Sequence, residues 1–418
     1  MLQQSTQRRL CRSVFVLACV LPTLVVQAWV VWRVQPGYQR QQLEAFVAPL
    51  GLAAEFDRRD TAQPGLAVFS NVRLADAETG ALVAALDVLS TRRTPAGAEV
   101  HGGLLVVEPE NLAPLAAALR GSLANVQAGD AQIRFDRVQI TGRGEWANVV
   151  VTSRSTGGRP ELGRSLEVFQ ESPDGVRVAL HRNRQVSPPA TRLVVDTRAS
   201  QLAWNLVAPL APLPSDLGQQ STWQGKLEVG LESRTGKLAG QIQQASLDKL
   251  LPEQASLTTR QPAELSSLVV EWQAERFELF DVEVRCGQGA VATPFINMAR
   301  SCLQCAPVGE FYALLERLEK LGYYPPELSP LEFDQMALRI RADRSGIQIT
   351  GLPENRRDGL ATWVLQRGGS PLLFEPRTDR TPIEALLHVV KTPGVESPYQ
   401  CPRAVELAKR LPLKSQQR

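Results

Sequence analysis

The stretch WQGKLEVGLESRTGKLAGQI, residues 223–242, decides the fold. Trp223, Gly225, Leu227, Val229 and Leu231 take alternate places, and Leu238, Gly240 and Ile242 resume the alternation beyond the Gly236 turn. An apolar or small residue at every second position is the period of a pleated strand with one buried face; a helix repeats every 3.6 residues. Two such runs with a glycine-bearing turn between them make a hairpin. Lys226, Glu228 and Lys237 occupy the intervening places, so the hairpin is apolar on one side only.

The same period runs outward in both directions. Toward the N-terminus it recurs at Leu193 and Val195, at Val176, Val178 and Leu180, at Leu166 and Val168, and at Trp146, Val149 and Val151. Ile133, Phe135, Val138 and Ile140 predict a strand with a bulge between Phe135 and Val138. Residues 52–106 read as a β-meander, with a turn over Asp76–Gly80. Toward the C-terminus come Leu268, Val270 and Trp272, then Phe277, Leu279, Val282 and Val284, then Leu338, Ile340, Ile347 and Ile349, and a last strand over Leu360–Leu365. Short helices are expected at Pro109–Arg120, Ala199–Leu213 and Leu247–Leu251, the last capped by Ser246. Met298–Leu321, Pro382–Val390 and Arg403–Leu411 read as helical. The expected fold is mainly β: a long, curved, groove-like antiparallel sheet of about fifteen strands with short interspersed helices and an irregular, helical C-terminal part.

The N-terminus follows a different rule. Val14 to Trp32 is uncharged for nineteen residues, which as a helix spans roughly 28 Å, one hydrocarbon core. Val14, Leu17, Leu21, Leu24, Trp29 and Trp32 are the expected anchor residues. Arg8, Arg9 and Arg12 precede the run, which keeps the N-terminus cytoplasmic and exports the bulk. Val26-Gln27-Ala28 also fits a small-x-small cleavage site, so a cleaved leader competes with a retained anchor. The apolar run continues past that site through Trp29–Trp32, which favours the anchor. Leu43, Phe46, Val47 and Leu50 then fall on one face of an amphipathic helix. The expected divisions are 1–33 for the cytoplasmic end and anchor, 34–290 for the repetitive β-domain, and 291–418 for helical insertion, last strands and terminal helices.

Chemistry is sparse. Lys and Arg number 46 against 43 Asp and Glu, a net charge of +3, and nothing in that balance calls for nucleic acid. His101, His181 and His388 are scattered, and no zincin, P-loop or nucleophile-elbow motif occurs. Ser246 and Lys249 have acyl-enzyme spacing without the companion motifs, so Ser246 reads as a helix cap. Cys302 and Cys305 form a CxxC. No preceding βαβ unit supports a redox role, and with Cys286 and Cys401 the spacing is not that of a zinc ribbon, leaving structural disulfides or buried thiols. No enzyme, metal or cofactor is expected.

The opening after the anchor, LGLAAEFDRRDTAQPGLAVFSNVRLADAETGALVAALDVLSTRR, resembles the entry of AsmA-like proteins of bacterial envelopes, in its strands at Gly51–Phe56, Asn71–Asp76 and Leu82–Val88 and its Thr79-Gly80 turn. Residues 223–253 are similar to the repetitive strands and short helices found later in such chains. The resemblance implies an inner-membrane protein with its bulk in the periplasm and a curved sheet linked to lipid movement. Its partners would be the inner membrane, phospholipid acyl chains and other envelope proteins. On that reading Leu227, Val229, Leu231, Leu238, Ile242, Val270 and Leu279 line a groove for acyl chains, at about 0.8 kcal/mol per methylene buried. The alternative is an anchored scaffold or adaptor of an envelope or secretion complex, its apolar strand faces closed into a core.

Overall fold

The computed structural model describes residues 11–63, 66–94, 97–126, 130–247, 257–274, 276–291, 299, 304–307, 317, 320, 331–356, 362–376 and 380. It is mainly β with short helices, and its contacts divide the chain into two compact units, Met1–Leu166 and Glu167–Arg418. Compositional reading placed its divisions at 33/34 and 290/291 instead.

Helix α1 (Cys11–Trp32) is apolar and no part of its span is buried in the chain. It contains a π turn at Val16–Val20, where the Leu21 N–H reaches back to the Val16 carbonyl. Pro22 follows directly. A wide turn before a proline absorbs the missing donor and the ring's bulk. Gln35 is extended, as a residue before proline must be, and ends the helix so that α2 (Pro36–Val47) can start on Pro36. The rings of Trp32 and Tyr38 meet across this break at 4.3 Å. The amphipathic face is as expected: Leu43, Val47 and Leu50 are buried and Phe46 is half-buried.

In the first unit, β1 (Leu52–Glu55) and β2 (Arg58–Gln63) share one edge of β3 (Leu66–Asp76), which pairs with β4 (Leu82–Thr94), and β4 with β5 (Gly97–Val107). Then comes α3 (Leu112–Ala124), and β6 (Ala131–Ile140) lies parallel to β5, with β7 (Gly144–Ser155) antiparallel beyond it. The antiparallel expectation therefore fails at one pair. The helix between β5 and β6 carries the chain back to the starting end, a βαβ crossover. Strand β8 (Gly163–Gln170) ends this unit and begins the next.

A crease crosses the first unit. The buried residues of β3 change parity between Phe69 and Val72, and those of β4 between Leu86 and Leu89, without any slip in the register that pairs them. Asn71 sits at the break with φ +54°, and Asn148 in β7 does the same with φ +52°. Asn is among the few side chains that tolerate this conformation. Between β4 and β5 the ladder opens, and the Asp87 carboxylate accepts hydrogen bonds from the N–H groups of Leu104 at 2.7 Å and Val88 at 2.6 Å. The bulge expected in β6 between Phe135 and Val138 is absent. Phe135 stays paired with Val149 and Arg137 with Ala147, so β6 holds no extra residue, and the irregular backbone belongs to Asn148.

The second unit is an antiparallel ladder. Its strands are β9 (Arg177–Asn183), β10 (Ala190–Asp196), β11 (Leu202–Ala203), β12 (Thr222–Gly230), β13 (Thr235–Ala245), β14 (Leu257–Thr259), β15 (Ala263–Gln273), β16 (Arg276–Cys286), β17 (Gly289–Val291), β18 (Cys305–Pro307), β19 (Leu331–Phe333), β20 (Gln335–Asp343), β21 (Gly346–Gly351), β22 (Trp363–Arg367) and β23 (Ser370–Pro376). The order across the ladder is β9-β10-β12-β13-β15-β16-β20, and β21 and β22 share the far edge of β20. Strands β22, β23 and β18 pair onward, while β14, β17 and β19 form a small sheet of their own. The helix expected over Ala199–Leu213 shrinks to α4 (Trp204–Val207) and one 3-10 turn at Pro209, because Leu202 and Ala203 pair with β12 first. The expected last strand resolves into β22 and a further strand, β23. Leu247 is helical, but the rest of its expected helix, most of Met298–Leu321 and both terminal helices lie outside the described residues; within Met298–Leu321, Cys305–Pro307 is not helical but the strand β18, paired with β23.

Candidate functional site on the second unit

Register decides which of the seven proposed groove residues stand together. Val195, Leu227, Leu238, Val270 and Phe280 are successive cross-strand partners on β10, β12, β13, β15 and β16. Directly opposed residues share a face, so this is one continuous apolar row. A second row runs Leu193, Val229, Gly236, Trp272, Phe277. Leu227, Leu238 and Val270 are 0% exposed, Ile242 1% and Val229 8%. The chain's own atoms enclose them. Leu231 lies just past the end of β12, half-buried, and donates its N–H to the Thr191 carbonyl at 3.0 Å.

Leu279 does not belong to the row. The pairing of β15 with β16 slips between Glu271 and Trp272, which sets Leu279 opposite Glu271 on the charged face and brings Phe280 opposite Val270. Phe277 and Phe280, three apart, then point the same way, with ring centroids 5.9 Å apart. Simple alternation from Phe277 onward reaches Leu279 and misses Phe280, since nothing local marks the extra residue.

The opposite face is a lattice of paired charge. Glu228, Lys237 and Glu271 are successive partners. Glu228 pairs with Arg192 and Lys226, and Lys237 reaches Glu271 at 2.6 Å. Asp281 receives both arms of Arg339 at 2.8 Å, a bidentate pair that raises the guanidinium above its ordinary value. Arg285 reaches Glu354 at 2.8 Å.

An open concavity of ≈ 710 Å³ is lined by Val229, Gly236 and Trp272 of the second apolar row. Trp272 lies over Gly236 so closely that a Cβ there would fall 2.1 Å from the ring. Its lining also includes Glu228, Glu232, Glu271 and Glu278, and each has a cation against it: Arg192, Arg182, Lys237 and Arg344 in turn. Glu232 also accepts from the Thr191 N–H at 2.6 Å and hydroxyl at 2.8 Å. A carboxylate so engaged is a clamp, not a proton-transfer group.

The remaining sequence candidates do not converge. His101 is exposed, its ring 2.8 Å from Asp136, and His181 is exposed on β9. Cys286 and Cys305 are buried, and burial pushes the Cys305 thiol up to about 12. His388, Lys249, Cys302 and Cys401 lie outside the described residues. Among the described residues no three His, Cys, Asp or Glu side chains gather as a metal set. The residues expected to form the anchor, Val14, Leu17, Leu21, Leu24, Trp29 and Trp32, are between 49% and 65% exposed. No family model, curated protein or solved structure matches this chain.

Proposed function

We propose that the chain is a membrane-tethered structural adaptor of an envelope or secretion complex, working without lipid cargo. In this reading α1 is a single pass through a bacterial inner membrane, and the β units stand in the periplasm and present charged strand faces to partner proteins. The observation that carries it is the complete enclosure of Leu227, Leu238 and Val270. An acyl chain gains its 0.8 kcal/mol per methylene only by covering apolar surface that is otherwise wet. Here that surface is already packed, and an entering chain would displace contacts as good as those it made. The opposite face offers alternating, paired charge instead, which selects partners by complementarity and sets their register. The orientation follows from Arg8, Arg9 and Arg12 ahead of the span.

Leu238→Asp in the full-length protein separates the two readings. With the row as a core, the aspartate is a buried, unpaired charge costing about 3–5 kcal/mol, and the cooperative thermal melt should be lost. A variant that melts like the parent while losing one tightly held acyl lipid, counted by mass spectrometry of the extracted protein, would return the function to lipid carriage.

A further inference from the structure

We infer that the membrane span is half of a helix pair, and that a second copy of this chain supplies the other half along the face of Cys19, Thr23 and Gln27. This rests on the reading of α1 as a retained anchor. The three residues are spaced by four and lie on one side of the helix. The Thr23 hydroxyl donates to the Cys19 carbonyl at 2.7 Å, which places Thr23 directly over Cys19 and satisfies its own polar group within the helix. Gln27 has no such solution: its carboxamide meets no partner among the described residues.

Its depth makes that matter. Trp32 closes the span, and Gln27 lies five residues inside it, roughly 7–8 Å toward the midplane. A helical Cα–Cβ bond tilts toward the N-terminus. The Gln27 side chain is therefore aimed deeper into the hydrocarbon and away from the nearer interface. A bare amide there is unfavourable, and a neighbouring helix is the usual remedy. The chemistry of the amide selects the neighbour. A carboxamide is donor and acceptor together, hence its own complement. Two copies inserted the same way hold Gln27 at the same depth, so a twofold pair sets amide against amide. Cys19 and Thr23 are small enough to let the backbones approach. Leu21 and Val25, about 160° around the helix from Thr23, present bulk to lipid instead.

The test is oxidative cross-linking with copper phenanthroline, in native membrane vesicles, of full-length protein carrying Cys11→Ser, Cys302→Ser and Cys401→Ser. Cys286 and Cys305 are buried, which leaves Cys19 as the reactive thiol. A disulfide-linked dimer should form, Gln27→Leu should cut its yield about fivefold, and Gln27→Asn should keep most of it. Cys19→Ser combined with Val25→Cys should give none. Equal yield from both faces, or a yield indifferent to Gln27→Leu, would overturn the pairing. Intact mass and alkaline extraction of the same vesicles separate the two failures. Loss of the first 28 residues, or release from the membrane, removes the anchor reading and the pairing with it. A retained, intact chain without face-specific dimer removes the pairing alone.

Discussion

Asn71, Asp87 and Asn148 interrupt the strands of the first unit with polar side chains, whereas Gly225 and Gly240 let two unbroken strands of the second approach closely by having none. At the crease, Asp87 supplies a carboxylate where β4 and β5 lose their ladder bonds, and the two asparagines take up the left-handed backbone. Between β12 and β13 the two glycines are register partners, and a Cβ on Gly225 would sit 2.0 Å from the Ala239 carbonyl. The first device adds hydrogen bonds. The second only avoids overlap, and it has no tolerance.

That difference sets the order of expected effects. Gly240→Val should be the most damaging, because the new side chain meets the Gln224 carbonyl at 2.1 Å and the strands must part. A loss of about 3 kcal/mol or more is expected in a denaturant titration. A near-neutral result would mean that the close approach is not maintained in solution. Asp87→Ala should cost about 1–2 kcal/mol, the worth of charge-assisted bonds to two backbone N–H groups at an exposed site, and hydrogen exchange at Leu104 should speed up while β12 and β13 are unaffected. Loss of protection in the second unit as well would show that the two devices do not act separately.

The smallest effect concerns the clamp in the lining of the concavity. Burial raises the Glu232 carboxyl, but the Thr191 N–H and hydroxyl and the Arg182 guanidinium outweigh it and leave it below its ordinary value of 4.5. A depressed carboxylate contributes stability above its unfolded-state value and loses it as pH falls through the folded one. Glu232→Gln should therefore lose this small contribution at neutral pH, and the two stability profiles should converge as pH falls below about 4.5, so that the variant's acid limb is flatter. The difference should stay under about 1 kcal/mol, because the side chain is 40% exposed. A variant with an unaltered acid limb would show that Glu232 is not held as described.

Much of this architecture was legible because it is local. The alternation of residues 223–242 yields β12 and β13, and the 3.6-residue spacing of Leu43, Val47 and Leu50 yields the buried face of α2. Strand β23 was not legible, since Leu372, Leu373 and Phe374 run together without a period. Alternation groups Leu227, Val229, Leu238, Ile242 and Val270 on one face, as the register does, but it also includes Leu231, which falls past the end of β12, and Leu279, which falls on the other face. The Thr191–Glu232 clamp gave no signal at all: its members are 41 residues apart and meet only because β10 pairs with β12.

The sequence by itself determined that the chain is built of one-sided strands behind an uncharged helix long enough to cross a membrane. Both are matters of short-range periodicity and length. Only the tertiary structure decided that β6 returns parallel to β5, that Phe280 rather than Leu279 completes the apolar row, and that the row is enclosed. A period of two says which residues share a face, but it does not say what that face packs against. That depends on register and on which strands meet, and both are set by contacts between residues far apart in the chain.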